Sequence, residues 1–444
     1  MDVVVVGGGA AGLACVRELR GVSCVLLEAR RELGGRVRSF EDAPAHDAGA
    51  AWVHGTSDSP LAKEAQARGV ALAEVCASNP WCDPQAWRGV ATVWRPGGER
   101  VRDAELRAAA SEWANAVESL SEVTDANAAF GPALRVSPLA AMHGSLVELW
   151  MGASLDDLQL REFAQDDVAW GDHPGPHALP AGGMGRVLSA LITEATKVAV
   201  LGARVDRIKT RDGAVDVDYV VDGRRSRVRA RCVVVTLPLG VLQRNDVVFD
   251  PPLPAAKRGA IDRLGFGAYA KILLFWRDRW WPSHSSFLVC LDDDDAVAFV
   301  LVDHAWSLKN KDAEPLLEAT VAGDKARVMD ALPEAECVAQ VLACLRRTFG
   351  VVFPDPVKTI VTRWTQDPHA RGAYSYWRRG AEDTDVDTLA QPLDPLFFAG
   401  EATSVEYQGS LTGALETGLR VASEVLGSLR GGAAAASPKL PMKS

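Results

Sequence analysis

The residue types and spacings best suited to chemistry begin at Gly7, Gly9 and Gly12, which follow the apolar run Val3–Val6. Glu28 closes the next apolar run, Val25–Leu27, 21 positions after Gly7. Gly7 permits a tight turn, Gly9 lets backbone N–H groups approach a pyrophosphate, and Gly12 lets the next helix lie close on the sheet. Ala11 falls in the first turn of that helix, at its positive end. Glu28 is placed to bind a ribose diol. The strand before, the amphipathic segment 10–19 after and an acid at this distance together predict a dinucleotide site.

Such a site serves NAD or FAD, and the neighbouring residues bear on the choice. Ala29, Arg30, Arg31, Glu32 and Leu33 lead from the acid into a second glycine pair, Gly34 and Gly35. Arg36 follows, and its guanidinium would set a fork of donors beside phosphates. A second piece lies far along the chain. Leu396–Ala399 is an apolar strand running into Gly400 and Glu401, and Gly409, Ser410 and Leu411 open a helical stretch through Gly418. That combination suits backbone amides holding a flavin's ribityl chain and ring edge.

These pieces need a scaffold, and the chain is long enough to supply one. Its 444 residues, 48% hydrophobic, can bury a large core and predict two or three domains. The net charge of −10 disfavours a nucleic-acid binder, which is usually basic. Eight cysteines without a CxxC pair predict buried thiols in a reducing compartment rather than zinc or a disulfide framework. His173 and His177 have a metal-like spacing, but Pro174, Gly175 and Pro176 lie between them, so no helix can present the pair and no metal site is expected. No apolar run is long enough to span a bilayer, the first strand starts at Asp2, and the last residues are not Ser-Lys-Leu. The expected location is cytoplasmic, without membrane attachment.

Three β-rich runs, Val205–Lys209, Val215–Val221 and Val228–Thr236, are joined by Asp212-Gly213 and Asp222-Gly223, both hairpin signals. They predict a meander returning to the nucleotide domain, ended by a turn at Leu237–Gly240. Helical patterns occupy Ala104–Leu120 and Ala335–Phe349, and Ala270–Trp276 reads as a strand. The expected fold is α/β: a Rossmann-type FAD-binding domain with a β-meander, plus a mixed α+β substrate domain formed by two insertions. The expected limits are residues 1–79, 179–255 and 395–430 for the first, 80–178 and 256–394 for the second, and 431–444 as a disordered tail.

The extension through Arg36 resembles the FAD-binding signature of the flavin-containing amine oxidases. With the far segment included, the resemblance covers almost the whole chain and is nearest to the polyamine oxidase branch. Asp47–Gly55 is similar to that branch's stretch beneath the isoalloxazine, with Gly49, Ala50, Trp52, Val53 and the histidine before glycine, His54. Gly182-Gly183-Met184 and Arg204–Ile208 resemble segments that pack on FAD, with Val205 where a backbone group meets the adenine. Ala270–Ile272 matches the strand bearing the family's active-site lysine, here Lys271. Arg363–Pro368, with Trp364, and Gly372–Ser375, with Tyr374, match the approach to the flavin's catalytic face.

The resemblance implies a mechanism and a substrate class. An ammonium ion has no lone pair to assist loss of its α-hydrogen, so the substrate must first lose a proton. Hydride then passes to flavin N5, water hydrolyses the imine, and O2 reoxidises the flavin with release of H2O2. Lys271 would hold a water at N5 as its family counterpart does, or have a lowered pKa; the plainer alternative is a snorkelling surface lysine. Tyr374 would wall the substrate channel. Ser410 stands where monoamine oxidases place a second tyrosine, which favours an open channel for a flexible polyamine. Ala373 replaces their flavin-linking cysteine, so the FAD is expected to be non-covalent. Glu32 stands where the family often carries arginine, which removes one donor near the phosphates.

His54 either orients the substrate amine or is a packed core histidine. Asp172 matches a place where polyamine oxidases often carry an acid that pairs with a distal ammonium. The expected partners are spermine, spermidine or their acetylated forms, and O2. Rivals are an L-amino-acid oxidase of the same fold and a catalytically silent FAD-bound interaction protein. A histone demethylase of the family would need a long helical insertion and an extra N-terminal domain, neither expected within 444 residues.

Overall fold

The computed structural model describes residues 1–39, 46–57, 59–87, 89–120, 128–160, 174–211, 213–282, 285–310, 313–350 and 352–431. Its compact units are two. One comprises Met1–Val37, Leu188–Asp262 and the chain from Glu382 onward; the other comprises Arg38–Val187 and Arg263–Ala381. The fold is α/β, a Rossmann-type unit carrying a β-meander and a mixed α+β unit made from two stretches of chain.

In the first unit, Val3–Val6 is the middle of a five-stranded sheet, between Cys232–Val235 and Cys24–Glu28, with Leu396–Phe398 and Ala199–Leu201 at the edges. All pairings are parallel. Continuous buried runs of β-branched residues are what a sheet covered on both faces requires, and Val3, Val4 and Val5 are fully buried. Helix Ala10–Glu18 follows the glycine turn and packs against helix Leu411–Leu429. The approach is close enough that a Cβ on Gly418 would lie 2.3 Å from the Ala11 carbonyl oxygen.

The meander is present, as Arg204–Arg211, Ala214–Val221 and Arg224–Ala230, with Val248–Asp250 added in parallel at the edge. Asp222 and Gly223, at φ 47° and 74°, make its second turn. The expected single run Val228–Thr236 divides at Arg231. Its first half, half-buried Val228, exposed Arg229 and buried Ala230, belongs to the hairpin, whereas Cys232–Val235 is wholly buried and joins the parallel sheet. The turn at Leu237–Gly240 leads straight into a short helix, Leu239–Gln243.

The second unit is built on a seven-stranded sheet, ordered Lys358–Val361, Tyr269–Phe275, Leu316–Ala322, Val297–Asp303, Phe287–Leu291, Ala91–Arg95, Glu99–Arg100. All neighbours are antiparallel except Phe287–Leu291 with Ala91–Arg95. Ile272 and Leu274 join a core with Val341 and Leu345 of helix Glu334–Phe349. Strand alternation therefore turns Lys271, Leu273 and Phe275 to the opposite face. Residues 38–79, expected with the nucleotide domain, group with this unit, where Val53 exchanges both backbone hydrogen bonds with Ala178. Among the described residues, no helix is long and apolar enough to cross a membrane.

Gly418→Ala is expected to lower the thermal unfolding midpoint, because the new methyl meets backbone that cannot move away; the expected cost is about 1–3 kcal/mol. Gly427→Ala in the same helix meets nothing within 4 Å. It should leave the midpoint unchanged or raise it by up to about 1 kcal/mol of stability through helix propensity. Equal midpoints for the two variants in scanning calorimetry would contradict the close helix contact.

Candidate active site

The first unit holds the nucleotide-type cradle. Gly7 turns the chain at φ 108°, a conformation that side-chain-bearing residues rarely adopt, and its N–H donates to the Leu27 carbonyl at 2.9 Å. The helix that follows has Gly9 as its N-cap, with no side-chain cap and no acidic residue in its first turn. Its first turn therefore supplies no cap or acid of its own. The Glu28 carboxylate accepts from Gly8 N–H at 2.6 Å and from Arg30 N–H at 2.7 Å, which fixes the acid at the end of its strand. A Cβ on Gly35 would lie 3.0 Å from the Gly9 Cα, and Gly34 N–H donates to Gly8 O at 2.9 Å. The two glycine turns therefore pack backbone on backbone, with Ala29 and Arg30 half-buried beside them.

The far segment enters the same unit. Arg36 pairs with Glu401 at 2.9 Å, and the other oxygen of Glu401 accepts from Gly409 N–H at 2.9 Å. A hollow beside this ion pair is lined by Arg36, Leu237, Phe398, Gly400 and Thr403, among others. Gly400 has φ 127° and nothing within 4 Å of where a Cβ would stand. The bare helix end, the buried acid and the open glycine fit a dinucleotide's phosphates, ribose and ribityl chain. Val205 is buried at a bulge in the meander. Ser410 caps helix Leu411–Leu429, its hydroxyl accepting from Gly413 N–H at 3.0 Å and donating to Tyr407 O at 2.7 Å. The hydroxyl thereby has a structural use in ordering the helix start, which the expectation of a substrate-facing residue did not include.

In the second unit, Lys271 is buried and its ammonium has two protein partners. Nζ donates to the Asp47 carbonyl at 3.0 Å and lies 3.1 Å from Glu318 Oε1. The alternative of a lysine snorkelling to the surface is corrected, and two groups of the protein itself come in addition to the expected water at N5. The cross-strand register, Lys271 opposite Thr320, places Glu318 diagonally on the same face. Glu318 Oε2 in turn meets His304 Nε2 at 3.0 Å. Burial pushes the Glu318 carboxyl up, but Lys271 and His304 outweigh it and hold the acid down at about 2. His46 packs on His304 and Phe275, with ring centroids 5.2 and 5.4 Å away. Among the described residues neither of its ring nitrogens has a hydrogen-bond partner, and burial first, then the neighbouring His304, lowers it to about 3.

A second cluster in this unit centres on His54. Its Nδ1 lies 3.0 Å from Nδ1 of His177, so one ring must carry the shared proton and the other accept it. The Trp150 ring meets His54 edge-on at 4.7 Å, and Trp52 is stacked between His54 and Phe287 at 6.5 and 5.9 Å. Gly49 and Ala50 are half-buried upstream, and Val53 is fully buried. Trp364 is buried, and its indole N–H donates to the Ala48 carbonyl at 3.1 Å. Half-buried Tyr374 donates its hydroxyl to the Leu149 carbonyl at 2.9 Å, with Tyr269 6.2 Å away. Asp172 lies outside the described residues. The sequence reading missed Glu318, His304, His46 and Trp150, and treated His177 only as a rejected metal ligand. A histidine and an acid in otherwise apolar strands were the available signals.

The family model for flavin-containing amine oxidoreductases matches residues 10–426. The chain belongs to this family. A flavin is therefore its cofactor, in keeping with the cradle just described. A lysine-specific histone demethylase 1 homolog 2 from Arabidopsis thaliana is 30% identical over 96% of this chain and 58% of its own length. A protein of the same name from Oryza sativa subsp. japonica is 32% identical over 96% of this chain and 57% of its own. The chain thus spans little more than half the length of these curated relatives. Among solved structures, a putrescine oxidase double mutant made for redesign of cofactor binding aligns with TM-score 0.74 at 21% identity, covering 96% of this chain and 98% of that one. A cyclohexylamine oxidase from Brevibacterium oxydans IH-35A aligns with TM-score 0.74 at 20% identity, covering 97% and 99%. These two likenesses establish the fold.

His46→Phe keeps an aromatic ring and removes two buried nitrogens without partners, a feature that costs about 1–3 kcal/mol. The pH dependence has a definite sign. A histidine lowered in the folded state lends stability above its ordinary value near 6.5, lost as pH falls toward about 3. Denaturant unfolding of His46→Phe should therefore show a gain over wild type that widens from pH 8 to pH 4; a gain independent of pH, or a loss, would contradict this.

Proposed function

We propose that the protein is an FAD-dependent oxidase of a polyamine, of the spermine or spermidine type or their acetylated forms, with the FAD held non-covalently. The observation that carries the substrate class is the pair of half-buried His54 and buried His177, walled by Trp52 and Trp150. A neutral imidazole accepts a proton near pH 7. The substrate nitrogen must shed its proton before its α-carbon gives up hydride, and this pair is the proposed acceptor. His177 fixes the His54 ring through the Nδ1 contact. The flavin supplies, when bound, a two-electron acceptor that O2 can regenerate with formation of H2O2.

The chain's remaining residues have separate tasks in this reading. Gly9 and the uncapped helix end receive the phosphates, Glu28 the ribose, and Arg36 with Glu401 fix the second segment. Tyr374 walls the substrate channel, and its hydroxyl is held by the Leu149 carbonyl. Ala373 carries no nucleophile that would bond to the cofactor. The curated relatives favour a second reading, an N-methylated lysine side chain within a protein. Both substrates present an alkylated amine on a flexible aliphatic chain, and they differ in what surrounds it.

Anaerobic mixing with spermine, spermidine, N-acetylspermine, leucine and an N-methyl-lysine peptide, followed through the visible absorption of the flavin, separates the readings. Fastest bleaching is expected with a polyamine. Bleaching by the peptide alone would replace the substrate, bleaching by leucine would make the protein an amino-acid oxidase, and no bleaching by any would overturn catalysis. His54→Asn should slow bleaching at pH 7 by about 10- to 1,000-fold, as for loss of a proton acceptor, with less effect at pH 9 where more of the amine is already neutral.

A further inference from the structure

We infer that Glu318 is a positioning residue that clamps Lys271 as a fixed ammonium, and that Lys271 therefore acts as a stationary positive charge rather than as a proton acceptor. The inference rests on the reading of Lys271 as the family's active-site lysine and adds what its charge state must be. Three observations carry it. Lys271, Glu318 and His304 are all buried, so the polar groups have only one another and the backbone to satisfy them. The carboxylate spends one oxygen on each partner, Oε1 at 3.1 Å from Lys271 Nζ and Oε2 at 3.0 Å from His304 Nε2. The Asp47 carbonyl, at 3.0 Å, can only accept, so it too requires an N–H on Lys271.

The surroundings of the cluster are compatible with a single charge arrangement. Facing the pair are Asp47, His46, His304 and Tyr269, and Lys358 and Glu314 lie beside His46. Burial raises Asp47, lowers His46 to about 3 and raises the Tyr269 phenol well above its ordinary range, so all three are pushed toward their neutral forms. Glu318 is the group pushed toward ionisation. An ionised carboxylate at hydrogen-bond distance favours the protonated form of the amine it touches. A lysine so clamped cannot accept the substrate's proton, which leaves that step to the His54–His177 pair in the same unit.

The test compares Glu318→Gln, which keeps the shape and one acceptor oxygen but removes the charge, with wild type and Glu318→Asp. The first readout does not depend on turnover: carbamoylation of Lys271 by cyanate, whose carbon is attacked only by the free amine, read by peptide mass spectrometry of the flavin-loaded protein between pH 6 and 9. Glu318→Gln should raise the rate at Lys271 at least 10-fold at pH 8, with the other lysines unchanged. Glu318→Asp should stay nearer wild type. The second readout is the pH profile of reoxidation of reduced flavin by O2, which should be flat for wild type and should fall with rising pH in Glu318→Gln. Unchanged carbamoylation at Lys271 in Glu318→Gln would overturn the clamp. Uniformly raised carbamoylation at all buried lysines would also overturn it, by showing a merely structural role. If no amine reduces the flavin, the proposed function fails, while the carbamoylation comparison still decides the assignment of Glu318.

Discussion

The parallel register of one sheet is the constraint on which the rest of the nucleotide-binding unit depends. With Val3–Val6 in the middle, between Cys24–Glu28 and Cys232–Val235 and with Leu396–Phe398 beyond, all strands end at the same side. That end is where Gly7–Gly9, Glu28 and Gly400–Glu401 stand, although the last pair is far along the chain. The ligand crevice of an open α/β sheet lies outside the carboxyl ends of its strands. The Arg36–Glu401 pair and the Gly9–Gly35 approach lock the two glycine segments to each other once the register is set.

The second unit solves a different problem, a cation on a buried strand. An unpaired buried ammonium is strongly unfavourable, and removing one partner of a buried pair costs about 3–5 kcal/mol. The strand ladder meets this by bringing Glu318 to Lys271 diagonally, with His304 on the second oxygen. The neutral character of His46 keeps further positive charge away from the lysine. The role proposed for Lys271 and the stability of its strand therefore meet in the same three side chains.

Local motifs were legible in the sequence because their physics is local. The glycine turn, the acid at the end of the second strand and the hairpin turn at Asp222-Gly223 each declare a backbone conformation within a few residues. Helices Asp103–Ser119 and Glu334–Phe349 fall within a residue of their apolar periodicity. Pairings made by register were not legible. Glu318 sits in an otherwise apolar run, Leu316–Ala322, and nothing nearby in sequence says which strand lies beside it. His177 carried a local signal, its spacing from His173, that pointed to the wrong partner type, since its contact is with His54. The division of Val228–Thr236 at Arg231 was hidden because a hairpin strand and a buried parallel strand share the same residue preferences. Ser410 was matched by position to a substrate-facing tyrosine, while its small hydroxyl serves as a helix cap.

One measurement bears most directly on whether both glycine segments serve a single flavin: the visible spectrum of the purified chain, with analysis of what acid or heat releases from it. A yellow protein that releases one FAD per chain into the supernatant, and takes it up again on refolding, is the expected result. A colourless chain that cannot be reconstituted with FAD, or a flavin that stays attached to the denatured polypeptide, would contradict it.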